Sequence, residues 1–318
     1  MKIMTIKKEV AKSLVLTTVA FFSASACTQI KLHLGSKHLS SGDGTGSAFE
    51  SAKCADTSTL SDTQRKELLE LTETSALQAN HFEDAQRRVS KVAEIFSDAK
   101  DRRGIFASMY VNTTKRSVST IQETLAGKEN HYNNPELAKK LVVEFARRYL
   151  DALHGHLRGE KITRQWENYY DLATDCKVTD LRILGTGVNT HLTYDLPLTV
   201  AFIEAPREFE KDFLKFGGLL LEVKDDCIAQ LQEQQKVYAA NFFSGFLFTD
   251  DKPAGKIVDR LFGPAAASRL GFTLIRAEAW ENAQLLQKKA GKEIANGGII
   301  AAWQARQEIL RIVPQSEQ

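Results

Sequence analysis

From about residue 61 to residue 313 the apolar side chains recur at three- and four-residue spacing, and no stretch alternates them as a half-buried strand would. That period admits helices and little else. Phe82, Ala85, Val89, Val92 and Phe96 mark one amphipathic helix. Ser61 is placed to cap a helix through RKELLELTETSAL. Residues 101–125 carry Ile105, Met109, Val118 and Ile121, with Gly127 as a stop. Pro135 fits the first turn of a helix whose apolar face includes Leu141, Phe145, Leu150 and Leu157, and Gly159 ends it. A short aromatic helix follows around Trp166, Tyr169 and Tyr170. Residues 179–194 make another, and Pro197 stops it, kinks it or opens the next segment. Residues 207–238 read as one long helix in which Gly217 and Gly218 let another backbone come close. Residues 241–263, broken by Gly245, Pro253 and Gly255, read as a loop with short helices, and helices at 269–290 and 299–313 close the chain. The expected fold is all-α, a single multi-helix bundle of about eight to ten helices over residues 61–318.

Ahead of that domain the chain carries an address. Lys2, Lys7, Lys8 and Lys12 form a positive head, residues 13–22 (SLVLTTVAFF) a short apolar core, and Ser23 to Ala26 a run of small residues before Cys27. This reads as a bacterial signal peptide over residues 1–26, too short to span a membrane. Two processing routes fit it. Cys27 directly after a small residue resembles a lipoprotein site, with Cys27 lipidated and the protein held at a membrane surface. Ala24-Ser25-Ala26 also suits ordinary secretion to a soluble periplasmic or secreted form. Thr28, where an Asp would favour inner-membrane retention, points to the outer membrane if the cell has one. Residues 27–60, rich in Ser, Gly, Lys and Thr, read as a flexible tether. The expected location is therefore the cell envelope, with a membrane as partner through the anchor.

The cysteines are Cys27, Cys54, Cys176 and Cys227, with no C-x-x-C spacing, so a thiolate metal site is disfavoured while the compartment permits a disulfide. The formal net charge is +2, and several lysines leave with the signal. A near-neutral mature chain argues against nucleic acid as a partner.

One segment has chemical content: Gly185-Thr186-Gly187-Val188-Asn189-Thr190-His191-Leu192-Thr193-Tyr194-Asp195-Leu196. His191 and Asp195, four apart, share a helix face. Gly185 and Gly187 each cost roughly 1 kcal/mol in a helix against Ala, a cost that close packing would explain. Three readings stand. The pair satisfies buried polar groups as structural contacts. It forms half of a divalent-metal site, with Asp151 and His154, three apart on the helix from Pro135, as the first candidates for further ligands. Or it does acid–base work, with Asp195 orienting the imidazole, His191 moving a proton and Asn189 orienting substrate. Arg276, one turn before Trp280, is a candidate partner for Asp195, and Trp280 and Trp303 read as packing residues. The chain has no G-x-S-x-G, H-E-x-x-H, P-loop or Rossmann glycine pattern, which disfavours serine-hydrolase, nucleotide and dinucleotide chemistry.

Tyr149-Leu150-Asp151-Ala152, then Trp166, then Gly187-Val188-Asn189-Thr190-His191-Leu192-Thr193-Tyr194-Asp195-Leu196, resemble the bacterial domain-of-unknown-function family numbered 5995, over about residues 102–286. The resemblance implies a helical domain and a grouping of Asn189, His191 and Asp195, and it brings no activity. Tyr149 and Trp166 are the candidate substrate contacts. The resulting expectation is an envelope lipoprotein acting as a hydrolase, metal-assisted or not, on a small or lipid-like molecule. The alternative is a non-catalytic binding or scaffold lipoprotein in which His191 and Asp195 are structural.

Overall fold

The structure, a computed structural model, describes residues 60–239 and 266–312. The signal, Cys27, the tether up to residue 59 and the whole loop expected at 241–263 lie outside these residues. In chain order the helices are α1 (Asp62–Thr72), α2 (Phe82–Asp98), α3 (Ile105–Leu125), α4 (Pro135–Arg158), α5 (Arg164–Thr174) and α6 (Asp180–Asn189). A π-helical turn, Thr190–Asp195, joins α6 to α7 (Leu196–Phe202). Then come α8 (Glu210–Glu222), α9 (Lys224–Gln235), α10 (Ala266–Leu286) and α11 (Lys292–Ile312). There is no strand among the described residues, so the fold is all-α and bundle-like. No described helix is long and apolar enough to cross a membrane.

The ends follow local chemistry. Ser61 accepts from the Gln64 N–H while the Gln64 side chain accepts from the Ser61 N–H, a reciprocal cap that starts α1. That helix stops at Thr72, short of Leu77, where Thr72 donates its hydroxyl back to the Leu68 carbonyl at 2.7 Å. Asn134 caps α4 ahead of Pro135, and Gly159 ends it at φ +69°, a conformation that costs glycine least.

Helix α3 is the central element. It packs against α2, α4, α6, α8 and α9. It also carries buried hydroxyls, an unusual load for a core helix. Thr114 donates to the Tyr110 carbonyl at 2.5 Å and Ser117 to the Thr113 carbonyl at 2.8 Å. These two hydroxyls are thus satisfied within their own helix, while Thr120 also meets the Tyr132 hydroxyl at 2.9 Å.

Three expectations are corrected. The segment 207–238 is not one helix. It is a 3-10 turn (Arg207–Phe209) followed by α8 and α9, with a break at Val223 and a left-handed Lys236 at its end. Gly217 makes room for a side chain rather than a backbone: a Cβ there would lie 2.2 Å from Cδ of Arg276. At the C-terminal end, α10 finishes at Leu286 and α11 begins already at Lys292, because a tight turn over Lys289–Gly291 reverses the chain earlier than the apolar pattern implied.

Gly187 has the close packing that its helix cost called for. A Cβ at this position would lie 2.9 Å from Cβ of Phe106 and 3.0 Å from Cε2 of Tyr169. Its bareness is what lets α6 lie against both α3 and α5. We expect Gly187→Ala to lower stability by about 1–3 kcal/mol through overpacking, despite alanine's better helix propensity, as a reduced midpoint in urea unfolding. An unchanged or raised midpoint would contradict this packing.

Candidate functional site

Pro197 explains why the chain widens where it does. Lacking an N–H, it cannot bond the Thr193 carbonyl, and in α-geometry its ring would collide with that carbonyl. The preceding turn is instead a π-turn, in which the Leu196 N–H donates to the His191 carbonyl five residues back. His191 and Asp195 both lie in this turn. Pro197 therefore opens α7 in its first turn without interrupting the chain direction.

The pair is buried, His191 at 2% exposure and Asp195 at 3%. His191 Nδ1 lies 3.0 Å from Asp195 Oδ2, and Trp166 on α5 donates its indole Nε1–H to the same oxygen at 3.0 Å. An indole N–H can only donate, so Oδ2 is an acceptor. Nδ1 of His191 therefore carries a hydrogen directed at Oδ2. In the neutral ring this leaves Nε2 as a lone pair, and Nε2 has no partner among the described residues.

Neutrality follows from the surroundings. The imidazole stacks on Phe145 with centroids 3.5 Å apart, and the rings of Tyr110 and Phe106 meet it edge-on at 4.7 and 5.2 Å. Burial in this aromatic box pushes the His191 pKa down, against the opposing pull of the bond to Asp195. Tyr110 is a neutral phenol, its pKa raised first by burial and then by the charge of Asp195.

His191 lines a cavity of about 80 Å³ between α3, α4, α6, α8, α9 and α10. Its walls are mainly apolar and include Tyr110, Leu141, Phe145, Phe216 and Phe272. No Asp or Glu lines it among the described residues, and its one charged side chain is Arg276. Cys227 lines it as a free thiol whose pKa burial pushes up to about 12, so it stays protonated. Cys176 is disulfide-bonded, and Cys227 is not its partner.

The other candidates fall into clear places. Asn189 is fully buried and spent on the protein: its Nδ2 donates to the Trp303 carbonyl and its Oδ1 accepts from Thr193. It ties the π-turn to α11 and does not line the cavity described above. Trp303 completes this tie by donating Nε1–H to Thr190. Trp166 and Tyr149, the expected substrate contacts, are buried and neither lines this cavity. Trp166 positions Asp195, and Tyr149 packs against Trp166 and Phe106.

The four expected metal ligands do not converge. Asp151 is exposed and accepts from Thr74, and His154 faces the Thr72 hydroxyl, so both tie α4 to the end of α1. His191 and Asp195 alone offer too few donors, and they are bonded to each other. Glu123, Glu129 and His131 are the group of ligand-type residues within reach of one another among the described residues, at the end of α3 and in the following loop. Arg276 does not pair with Asp195. It donates to the Phe213 carbonyl and lies over the Phe213 ring, 4.2 Å from its centroid.

Sequence reasoning offered Arg276 to Asp195 and put Phe145 on an apolar helix face; it missed that both, with Tyr110, line the cavity. A signal for Arg276 was present, since it falls on the same α10 stripe as Phe272, Ala279, Trp280 and Ala283, all buried. A charge inside an apolar stripe is informative.

Residues 82–309 match a family described as of unknown function, DUF5995. The chain belongs to that family. No curated protein and no solved structure matches it. The family match spans α2 to α11 and contains the π-turn, the dyad, Trp166 and Arg276, so the cavity is built wholly within the family region.

Two imidazoles are held neutral by burial. One is His191 and the other is His156, stacked 4.0 Å from Tyr170 and lowered to about 4 by desolvation and then by the nearby Arg103. The unfolded chain protonates both near pH 6.5, before the folded chain does, so it binds more protons in that window. Stability is thus fully present above about pH 6.5 and falls as pH drops toward 4. We expect denaturant midpoints to be lower at pH 5 than at pH 7.5, with His156→Gln flattening the slope. A flat profile in the parent protein would contradict the neutral, buried assignment.

Proposed function

We propose that this protein is an envelope lipoprotein, anchored through Cys27, whose domain hydrolyses a small lipid-like ester with His191 as general base. The single observation that supports the chemistry is the partnerless Nε2 of His191 beside an apolar cavity. A structural histidine at this depth would have both nitrogens satisfied. Here one nitrogen is fixed by Asp195 and the other is left over. The anchored location rests on the signal and on Cys27, and the disulfide at Cys176 fits an oxidising compartment.

The step follows from the tautomer. A water beside Nε2 gives its proton to that nitrogen as its oxygen bonds to the acyl carbon. Asp195 stabilises the imidazolium through Nδ1–H, and Trp166 keeps the carboxylate in place. The tetrahedral adduct collapses, its ester C–O bond breaks, and the leaving alkoxide takes the proton from Nε2. An acid and an alcohol leave, and the imidazole is neutral again. No metal enters this scheme, because the residues around His191 do not form a ligand set.

The rival is a non-catalytic binding lipoprotein. It is favoured by the way the His191–Asp195–Trp166 bonds also tie the π-turn to α5. Turnover separates the two. With a series of p-nitrophenyl acyl esters we expect hydrolysis that is constant above pH 6.5 and declines below it. His191→Gln, which retains a donor toward Asp195, is expected to reduce kcat by about a hundredfold or more. The absence of turnover in the parent protein, or equal rates in the variant, would overturn the hydrolase reading.

A further inference from the structure

Arg276 sits 3% exposed in the wall of the same cavity. Burial draws its pKa down to about 9, so it is still a cation at neutral pH. Its Nη2 donates to the Phe213 carbonyl at 2.5 Å, and its Nε has no partner among the described residues. No carboxylate among the described residues pairs with it. A buried cation without a counter-charge is expensive unless something supplies one. Helix α8 meanwhile accommodates the side chain, since Gly217 is bare where a Cβ would strike Cδ and Nε of Arg276 at 2.2 and 2.5 Å. The fold thus makes room for a charge that the described residues do not neutralise.

The rest of the wall says what accompanies the missing anion. Phe216, Phe272, Leu141 and Val142 offer apolar surface, and among the described residues no acidic side chain lines the cavity to repel a negative group. Asp195 is not part of the wall. We infer that the cavity takes a monoanionic amphiphile, a short aliphatic chain ending in a carboxylate, with the anion against Arg276 and the chain along the apolar wall. This deepens the hydrolase proposal by naming its product class, and it rests on the reading of this cavity as the ligand site. An acyl ester cleaved beside His191 releases such an acid.

The test uses the whole mature protein and three eight-carbon probes that differ in head group: octanoate, octanol and octyltrimethylammonium. Binding is read by titration calorimetry and by the shift in melting temperature. Octanoate is expected to bind at least about tenfold more tightly than octanol, with octyltrimethylammonium weakest, because a charge-assisted bond forms only with the acid. Arg276→Gln should abolish the preference for the acid over the alcohol while leaving octanol binding in place. If octanoate binds no better than octanol, or if Arg276→Gln keeps the preference, the inference is wrong. The head-group series needs no variant, so it decides the matter even if Arg276→Gln fails to fold. The same series in His191→Gln separates this inference from the hydrolase reading. A retained acid preference without ester turnover in the parent would remove the catalytic step and leave the anion site standing. Turnover that depends on His191 without acid preference would do the reverse.

Discussion

One carboxylate oxygen organises this site. Oδ2 of Asp195 receives the indole N–H of Trp166 from α5 and the Nδ1–H of His191 from its own π-turn, both at 3.0 Å. Each donor constrains the other. The indole fixes Oδ2 as an acceptor, and that in turn fixes the tautomer of the imidazole. In a buried site, leaving either donor without Asp195 costs about 1–3 kcal/mol, so the arrangement is held by the penalty for breaking it as much as by its bonds.

The helices supply the setting that makes the dyad consequential. Helix α3 brings Phe106 and Tyr110 against the imidazole, and α4 brings Phe145 flat onto it. These rings shield the faces of the imidazole from bulk water, which keeps His191 neutral with a bare lone pair at Nε2. Gly187 allows α6 to approach Phe106 and Tyr169 closely, which sets where the π-turn begins. Helix α11 clamps the other side through Asn189, Thr190 and Trp303. Polar residues thus hold the turn on its outer sides while aromatic residues surround its reactive edge.

Much of this was legible from residue spacing. The 3.6-residue period located most of the helices, Pro135 and Gly159 bounded α4, and the four-residue spacing placed His191 and Asp195 on one side of the chain. The break at Val223 was hidden because apolar residues continue through it, and only three-dimensional packing decides which stay on one face. The π-turn was hidden for a related reason: Pro197 announces a disturbance, and its direction depends on the neighbours. Asp151 and His154 looked like ligands because three-residue spacing shows shared faces on one helix and nothing of what that face meets. In the fold it meets Thr72 and Thr74. Asn189 looked like a substrate contact by proximity in sequence, yet its amide is used up by α11 and Thr193. Arg276 is the converse case, a residue distant in sequence that α10 brings to the cavity.

The protonation state of His191 is the point on which the account turns, and nitrogen NMR of the imidazole reads it directly. With ¹⁵N-labelled histidine in the whole mature protein, assigned by loss of the signal in His191→Gln, the account predicts at pH 7 a neutral ring with hydrogen on Nδ1 and a bare Nε2. The ring should become an imidazolium only below the ordinary histidine range. A ring protonated on Nε2, or already charged at pH 7, would contradict it.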